Sequence, residues 1–225
     1  MKNFIPILTL SASLAALTAC SSATQTNAQA SDGLSSSAPS AAQAPFIPNT
    51  GPNTAEAIVA GGCFWCVESD FEKLPGVKEV ISGYSGGTTV NPTYKQVGRG
   101  KTGHIEVAKI IYDPTQISYR KLIDHYWTTV DPTDDGGQFC DRGQVYETAL
   151  FVTPQQRAEA EASKAALMAS GRLNDPVVTP IRDAVTFYDA EDYHQDYYKK
   201  NPVRYKYYRN GCRRDQRLAE LWGEK

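Results

Sequence analysis

Apolar positions follow two different periods along the chain from about Thr54 onward. Short apolar runs and alternating apolar residues are typical of strands, whereas apolar residues three and four positions apart are typical of helices. The first pattern predicts strands over residues 55–60, 77–84, 104–112 and 144–152 and near Val185. The second predicts helices over residues 63–73, 119–130 and 154–170, with two short helical stretches before Trp222. This mixture, which contains no internal repeat, predicts an α/β fold.

The first 53 residues have a different character and are predicted to lie outside the folded domain. Lys2 is followed by an apolar run over residues 4–17, which is typical of a secretion signal and too short to span a bilayer. The sequence that ends in Ala19-Cys20 resembles a bacterial lipoprotein signal, so residues 1–19 would be removed and Cys20 would carry lipid. An ordinary cleavable signal is the alternative.

Residues 20–53 are rich in Ser, Ala, Gln and Pro, and Asp32 is their only charged side chain. Such a segment buries too little apolar surface to offset the entropy of ordering, which predicts a disordered tether. The folded domain is predicted to occupy residues 54–225. The protein is therefore expected on the periplasmic side of a bacterial membrane, exported and lipid-anchored.

The charge balance argues against nucleic acid as a partner. Lys and Arg total 23 against 25 for Asp and Glu, and basic residues such as Arg213-Arg214 are adjacent in pairs at most. A protein that neutralises phosphates needs a concentrated basic surface, and none is indicated.

Cys63 is the candidate nucleophile because it stands at the start of a predicted helix. The unpaired N–H groups and the positive end of the helix dipole favour a thiolate at that position. Cys66 lies three residues further on, close enough for the two thiols to cycle between dithiol and disulfide. The alternative is a static disulfide, although a bridge over one turn closes too small a loop to stabilise much.

Glu106 is the candidate proton donor. In the predicted strand over residues 104–112 it alternates onto the same face as Ala108, Ile110 and Tyr112, so its neighbours are apolar. Burial should raise the pKa of its carboxyl group and keep the group protonated near neutral pH. The alternative is a glutamate at the strand end that faces solvent.

Several segments, in this order along the chain, resemble motifs of the type A peptide methionine sulfoxide reductases. They are Gly61-Gly62-Cys63-Phe64-Trp65-Cys66, Gly83-Tyr84-Ser85-Gly86-Gly87, Asn91-Pro92-Thr93-Tyr94, Thr102-Gly103-His104-Ile105-Glu106, Tyr112-Asp113-Pro114 and Ala190-Glu191-Asp192-Tyr193-His194-Gln195. The resemblance implies a single compact α/β domain with a mixed central sheet and flanking helices, a two-layer ferredoxin-like sandwich. It also implies reduction of (S)-methionine sulfoxide in proteins and peptides.

The resemblance assigns further residues to the site. Tyr94 and Tyr146 would hydrogen-bond the sulfoxide oxygen, with Asp141 close by, and Phe64 and Trp65 would hold the substrate methyl group. Core packing or surface exposure is the alternative for each. The resemblance further implies a monomer that needs no cofactor and receives electrons from a thioredoxin-like protein or a dithiol. A metal site is not expected, because a structural zinc site usually has paired Cys or His ligands at short spacings and only one such pair is present. The histidines His104 and His194 are assigned no catalytic role.

The thiol that resolves the sulfenic acid on Cys63 is not settled by the sequence. Many family members carry it just after an Asn-Pro-x-x-Tyr segment, but here that segment is followed by Lys206. Cys66 is the first choice because family members more often have glycine there, and Cys212 and Cys140 are the other candidates. A structural bridge between Cys140 and Cys212 is the alternative, which an oxidising compartment permits.

Two other classes of protein compete with this interpretation. A thiol-disulfide oxidoreductase of the thioredoxin class would explain Cys63, Cys66 and the Thr179-Pro180 pair, but it offers no place for Glu106 as a proton donor. A lipoprotein that only binds ligands through Trp65 and the tyrosines would leave the cysteine pair unexplained.

Overall fold

A computed structural model describes residues 53–223 of the chain. The predicted signal peptide, the lipidation site Cys20 and the tether up to residue 52 lie outside the described residues. Within residues 53–223, no helix combines the length and the apolar character that crossing a membrane requires.

The described part contains eight strands and seven helices. The strands are β1 (Ala55–Gly61), β2 (Val77–Ser85), β3 (Ile105–Tyr112), β4 (Gly137–Gln138), β5 (Asp141–Arg142), β6 (Thr148–Val152), β7 (Ile181–Asp183) and β8 (Tyr188–Asp189). The helices are α1 (Phe64–Phe71), α2 (Tyr94–Val97), α3 (Tyr119–Trp127), α4 (Pro154–Ala169), α5 (Tyr197–Lys200), α6 (Pro202–Gly211) and α7 (Arg214–Trp222).

Six strands form the central sheet in the order β7-β6-β1-β3-β2-β8. All neighbours are antiparallel except β6 and β7, which are parallel, so the sheet is mixed. Strand β1 lies in the middle, where Val59 pairs with Ala108 of β3 on one side and Leu150 of β6 on the other. The predicted single α/β domain with a mixed central sheet and flanking helices is confirmed.

The alternation of side chains along the strands divides the core between the two faces of the sheet. One face packs against α1, α3 and α4 through residues such as Val59, Ile110 and Leu150. The opposite face carries Ile58, Val107 and Phe151 and others, and residues 184–187 cover it. Apolar side chains of the chain between β7 and β8 therefore pack against the second face of the sheet.

Several local predictions differ from the structure. Residues 144–146 form a 3₁₀ turn instead of the start of a strand, so β6 begins only at Thr148. The strand expected near Val185 is replaced by two short strands on either side of it, β7 and β8. The region before Trp222 contains three helices and not two.

Candidate active site

The nucleophile stands where the central strand β1 ends. Gly61 closes the strand, Gly62 turns the chain at a φ of +76°, and Cys63 caps α1, accepting bonds from Cys66 N–H and Val67 N–H through its backbone oxygen. A Cβ at Gly62 would lie 2.6 Å from Cβ of Gln138, so both the backbone angle and the space exclude a larger residue. The turn therefore fixes the direction in which Cys63 enters the site.

Cys63 lies at the start of α1, as predicted. The expectation that this position favours a thiolate is not met. The side chain is only 6% exposed, and burial raises the pKa of the Cys63 thiol well above its usual value. The first helical N–H, on Phe64, donates to Glu106 Oε2 at 3.0 Å and is used there. Loss of hydration therefore outweighs the helix start, and the resting thiol keeps its proton.

Glu106 projects from β3 beneath the start of α1 and is 2% exposed. Burial is the main cause that raises the pKa of its carboxyl group to about 8, and the hydrogen bond from Phe64 opposes this only in part. The nearby charge of Asp141 adds to the rise. The predicted acid is therefore protonated at neutral pH and available as a donor.

The residues that the sequence predicted for catalysis and substrate binding surround one small cavity. Its volume is about 70 Å³, and its walls are Cys63, Phe64, Trp65, Tyr94, Glu106, Asp141, Tyr146 and Tyr208. Seven of these eight were predicted from the sequence, and Tyr208 was not. Two much larger surface cavities lie elsewhere and contain none of the predicted residues.

Two tyrosine hydroxyls face the cavity. Tyr94 begins α2, where its N–H donates to Glu191 Oε1 at 2.9 Å, and it lines the cavity together with Tyr146. Burial raises the pKa of Tyr94 to about 12 and raises the pKa of Tyr146 as well. Both phenols hold their protons and can donate hydrogen bonds to an oxygen in the cavity.

The described cysteines separate into two pairs. Cys63 and Cys66 are free and buried, and they belong to the same buried cluster at the start of α1. The neighbouring Cys63 thiol, with help from the charges of Arg214 and Arg209, outweighs burial and lowers the pKa of Cys66 to about 7. Cys140 and Cys212 are joined by a disulfide. The structure therefore contains the Cys140–Cys212 bridge that the sequence left as an alternative.

The C-terminal region contributes residues that sequence reasoning missed. Trp65 Nε1 donates to His194 Nδ1 at 3.0 Å, and its ring stacks on Tyr197 with ring centroids 3.7 Å apart. His194 also packs against the Phe64 ring at 5.0 Å. The motif from Glu191 to Gln195 could have indicated that this segment forms part of the cavity wall. The tyrosines of α5 and α6 could not be selected in the same way, because the chain has 13 tyrosines and no pattern distinguishes these.

His104 is buried and hydrogen-bonded within the loop that follows β2. Its Nδ1 accepts from Gly87 N–H at 3.1 Å, and its Nε2 lies 2.7 Å from the Thr89 carbonyl oxygen. Both ring nitrogens are thus used to hold the loop after β2, which leaves neither for catalysis.

The Cys63 thiol and a carboxylic acid able to supply a proton meet in one cavity on an α/β scaffold, and a second free thiol, Cys66, lies three residues further on. This combination defines a thiol-dependent oxidoreductase.

Comparison with known proteins specifies the family. Residues 55–225 match the sequence model described as peptide methionine sulfoxide reductase. Peptide methionine sulfoxide reductase MsrA 2 of Rhizobium meliloti is 51% identical over 170 residues, which cover 75% of this chain and 84% of that protein. Peptide methionine sulfoxide reductase MsrA of Bacillus licheniformis is also 51% identical over 170 residues, 75% of this chain and 94% of that protein.

Solved structures agree. Methionine sulfoxide reductase A of Corynebacterium diphtheriae superposes with a TM-score of 0.60 at 32% identity, covering 68% of this chain and 77% of that one. Reduced Mxr1 from Saccharomyces cerevisiae superposes with a TM-score of 0.62 at 30% identity, covering 67% of this chain and 87% of that one. The chain belongs to the peptide methionine sulfoxide reductase family.

Proposed function

We propose that this protein reduces (S)-methionine sulfoxide in proteins and peptides, with Cys63 as nucleophile and Glu106 as proton donor. The observation that carries the proposal is the shared cavity of about 70 Å³, in which a thiol and a protonated carboxyl group face the same small space. In this proposal the hydroxyls of Tyr94 and Tyr146 hold the sulfoxide oxygen and Phe64 and Trp65 contact the methyl group, which is supported by the presence of all four residues in the cavity wall.

The first step transfers oxygen from the substrate to Cys63. The sulfur of Cys63 attacks the sulfoxide sulfur while Glu106 gives its proton to the sulfoxide oxygen. The products are methionine and a sulfenic acid on Cys63, so the substrate sulfur gains the two electrons that Cys63 loses.

The second step removes the sulfenic acid. Cys66 attacks the sulfur of Cys63, water leaves, and a disulfide forms. Cys66 is the proposed resolver because it lies in the same buried cluster as Cys63 and because a pKa of about 7 gives it a large thiolate fraction at neutral pH. Cys140 and Cys212 are bonded to each other in the structure. A thioredoxin-like protein or a small dithiol then supplies two electrons to reopen the disulfide.

A single-turnover experiment without external reductant tests this sequence of steps. One equivalent of a methionine sulfoxide peptide should give methionine and a disulfide between Cys63 and Cys66, because the two thiols hold the electrons needed for one turnover. Mass spectrometry of the peptide and of the mapped disulfides measures both products. Insulin-disulfide reduction, run in parallel, should be slow; rapid insulin reduction without peptide turnover would identify a general thiol-disulfide oxidoreductase instead.

Two serine variants identify the resolver in the same experiment. Cys66→Ser should form the sulfenic acid at the wild-type rate and stop there, so that dimedone traps it. Cys212→Ser is the matched control and should still close the Cys63–Cys66 disulfide. If Cys66→Ser instead forms a disulfide from Cys63 at the wild-type rate while Cys212→Ser or Cys140→Ser accumulates the sulfenic acid, Cys66 is not the resolver.

The proposed location is the periplasmic side of a bacterial membrane, to which lipid on Cys20 would attach the enzyme. The support is the sequence alone: Lys2, the apolar run over residues 4–17, the lipoprotein-like sequence before Cys20, and the polar segment that follows. A cytoplasmic thioredoxin does not reach an exported enzyme, so the proposed donor is a thioredoxin-like domain on the same side of the membrane.

Cys20→Ala should release soluble protein from the membrane fraction, because a lipid attached to that thiol would be lost. Mass spectrometry of the wild-type protein should show an acyl adduct on Cys20, and Ser21→Ala, the neighbouring control, should remain with the membrane. A Cys20→Ala protein that stays membrane-bound, together with an unmodified wild-type Cys20, would rule out the anchor.

A further inference from the structure

A buried arginine borders the turn that presents the nucleophile. Arg214 is the first residue of α7, and its side chain is only 2% exposed. Burial of a guanidinium group is costly unless its N–H groups and its charge find partners. The partners of Arg214 lie on the segments of the chain that lead into the active site.

Two N–H groups of Arg214 bind backbone carbonyl groups. Nη1 donates to the Gly61 oxygen at 3.1 Å, and Nη2 donates to the Thr129 oxygen at 2.6 Å. Gly61 ends β1 and stands two residues before Cys63. Nη1 also lies 3.8 Å from the position that a Cβ would take at Gly62. The planar guanidinium group therefore holds the turn before Cys63 against the end of α3.

The same guanidinium group contacts the loop that carries Asp141. Its Cζ lies 4.6 Å from the centroid of the Phe139 ring. Phe139 has a φ of +56°, which is uncommon for a residue with a side chain and persists where packing supports it. The next two residues are the disulfide-bonded Cys140 and Asp141 of the cavity wall. Arg214 therefore contacts two segments that lead into the site, one to Cys63 and one to Asp141.

The charge of Arg214 is only partly compensated. Its Nε lies 3.7 Å from Asp70 Oδ2, and neither atom has a hydrogen bond within residues 53–223. Asp70 Oδ1 is paired with Arg209 instead, at 2.9 Å. After the neighbouring Cys63 thiol, the positive charge of Arg214 is the next cause that lowers the pKa of Cys66 to about 7. One guanidinium group therefore acts on both thiols, through hydrogen bonds in one case and through its charge in the other.

We propose that Arg214 is a positioning residue for the reduction of methionine sulfoxide, which holds the turn before Cys63 in the orientation that delivers the sulfur to the substrate. Arg214 is not among the residues that line the cavity, so its effect reaches the substrate through Cys63. The inference rests on the proposed function and adds to it a residue outside the cavity wall.

Arg214→Lys tests the position of the turn. Lysine keeps the positive charge but lacks the planar fork that binds both carbonyl groups. Methionine release in a single turnover at saturating peptide should slow by about 10- to 100-fold, which is typical of a nucleophile misplaced by about 1 Å. The peptide concentration at half-maximal rate should stay within about twofold, because the cavity walls that hold the substrate remain.

Arg214→Met tests the charge as well. It should slow methionine release like Arg214→Lys, and it should also move the pH profile for alkylation of Cys66 by iodoacetamide. The wild-type midpoint should lie near 7, and loss of the nearby cation should shift it to higher pH, whereas Arg214→Lys should leave it in place. Tandem mass spectrometry identifies the alkylated sulfur. Arg213→Met, at the exposed preceding residue, is the matched control and should change neither measurement.

Near-ultraviolet circular dichroism identifies the variants that keep the wild-type fold. If Arg214→Met loses that spectrum, Arg214→Lys decides alone. A folded Arg214→Lys with wild-type methionine release would overturn the positioning role, and so would a loss explained entirely by weaker peptide binding. Loss of the fold in Arg214→Lys would assign the arginine to stability alone and also reject the proposal. Absence of methionine release by the wild type would instead reject the proposed function itself.

Discussion

Cys63→Ser is expected to abolish the reduction of methionine sulfoxide while leaving the fold intact. Serine has nearly the same shape, but its hydroxyl is a weak nucleophile and does not carry the two electrons that the sulfoxide must receive. The covalent step disappears, so kcat/KM should fall on the order of 10⁵-fold or more, as for other removed nucleophiles. Turnover of a methionine sulfoxide peptide with dithiothreitol measures the loss.

The fold of the variant is checked independently by near-ultraviolet circular dichroism and by peptide binding, which should both resemble the wild type. Cys66→Ser is the informative comparison, because it retains Cys63 and should still release one equivalent of methionine. Measurable turnover by Cys63→Ser above the background reaction of dithiothreitol would reject Cys63 as the nucleophile.

Glu106→Gln should retain the hydrogen bond from Phe64 N–H and the shape of the cavity but lose the transferable proton. We expect the rate of sulfenic acid formation to fall by about 10² or more, which is typical of a lost general acid. Single-turnover kinetics with dimedone trapping measures this step. Glu79→Gln, an exposed substitution on the neighbouring strand β2, is the control and should leave the rate unchanged.

The same variant has a distinct pH dependence. The pKa of Glu106 is about 8, and the acid form is the active one, so the wild-type rate should fall as the pH rises through 8. Glutamine does not titrate, and the fall should disappear in the variant. A wild-type rate in Glu106→Gln, or the same fall above pH 8 in both proteins, would show that another group donates the proton.

Local sequence patterns determined most of the framework. Apolar runs and alternation placed β1, β2 and β3 within one residue of their observed bounds, and a buried strand followed by two glycines placed Cys63 at the start of α1. The start of α4 was also predicted from local sequence, because Thr153 caps the helix and proline occupies the next position. These features depend on neighbours within a few positions, which the sequence contains in full.

Local sequence also determines the face of a strand on which a residue lies, because side chains alternate between the two faces. This allowed the burial of Glu106 to be predicted. Glu106 lies two and four residues before Ala108 and Ile110, so the alternation predicts that all three side chains share one face of the sheet. In the structure α1 packs against that face, and burial there raises the pKa of Glu106. Motif resemblance then supplied Tyr94, Tyr146 and Asp141, and the structure brings their side chains to the same cavity. No local rule would have selected these residues.

Only the tertiary structure decided the protonation of Cys63, the pairing of Cys140 with Cys212, and the place of Tyr208 in the site. The pKa of a thiol depends on how much water remains around it, and the cluster that buries Cys63 includes tyrosines of α5 and α6, more than 130 residues away along the chain. Pairing of cysteines depends on distance in space, which a separation of 72 residues does not reveal. The sequence therefore determined which residues could react, and long-range packing decided which of them carry the proton.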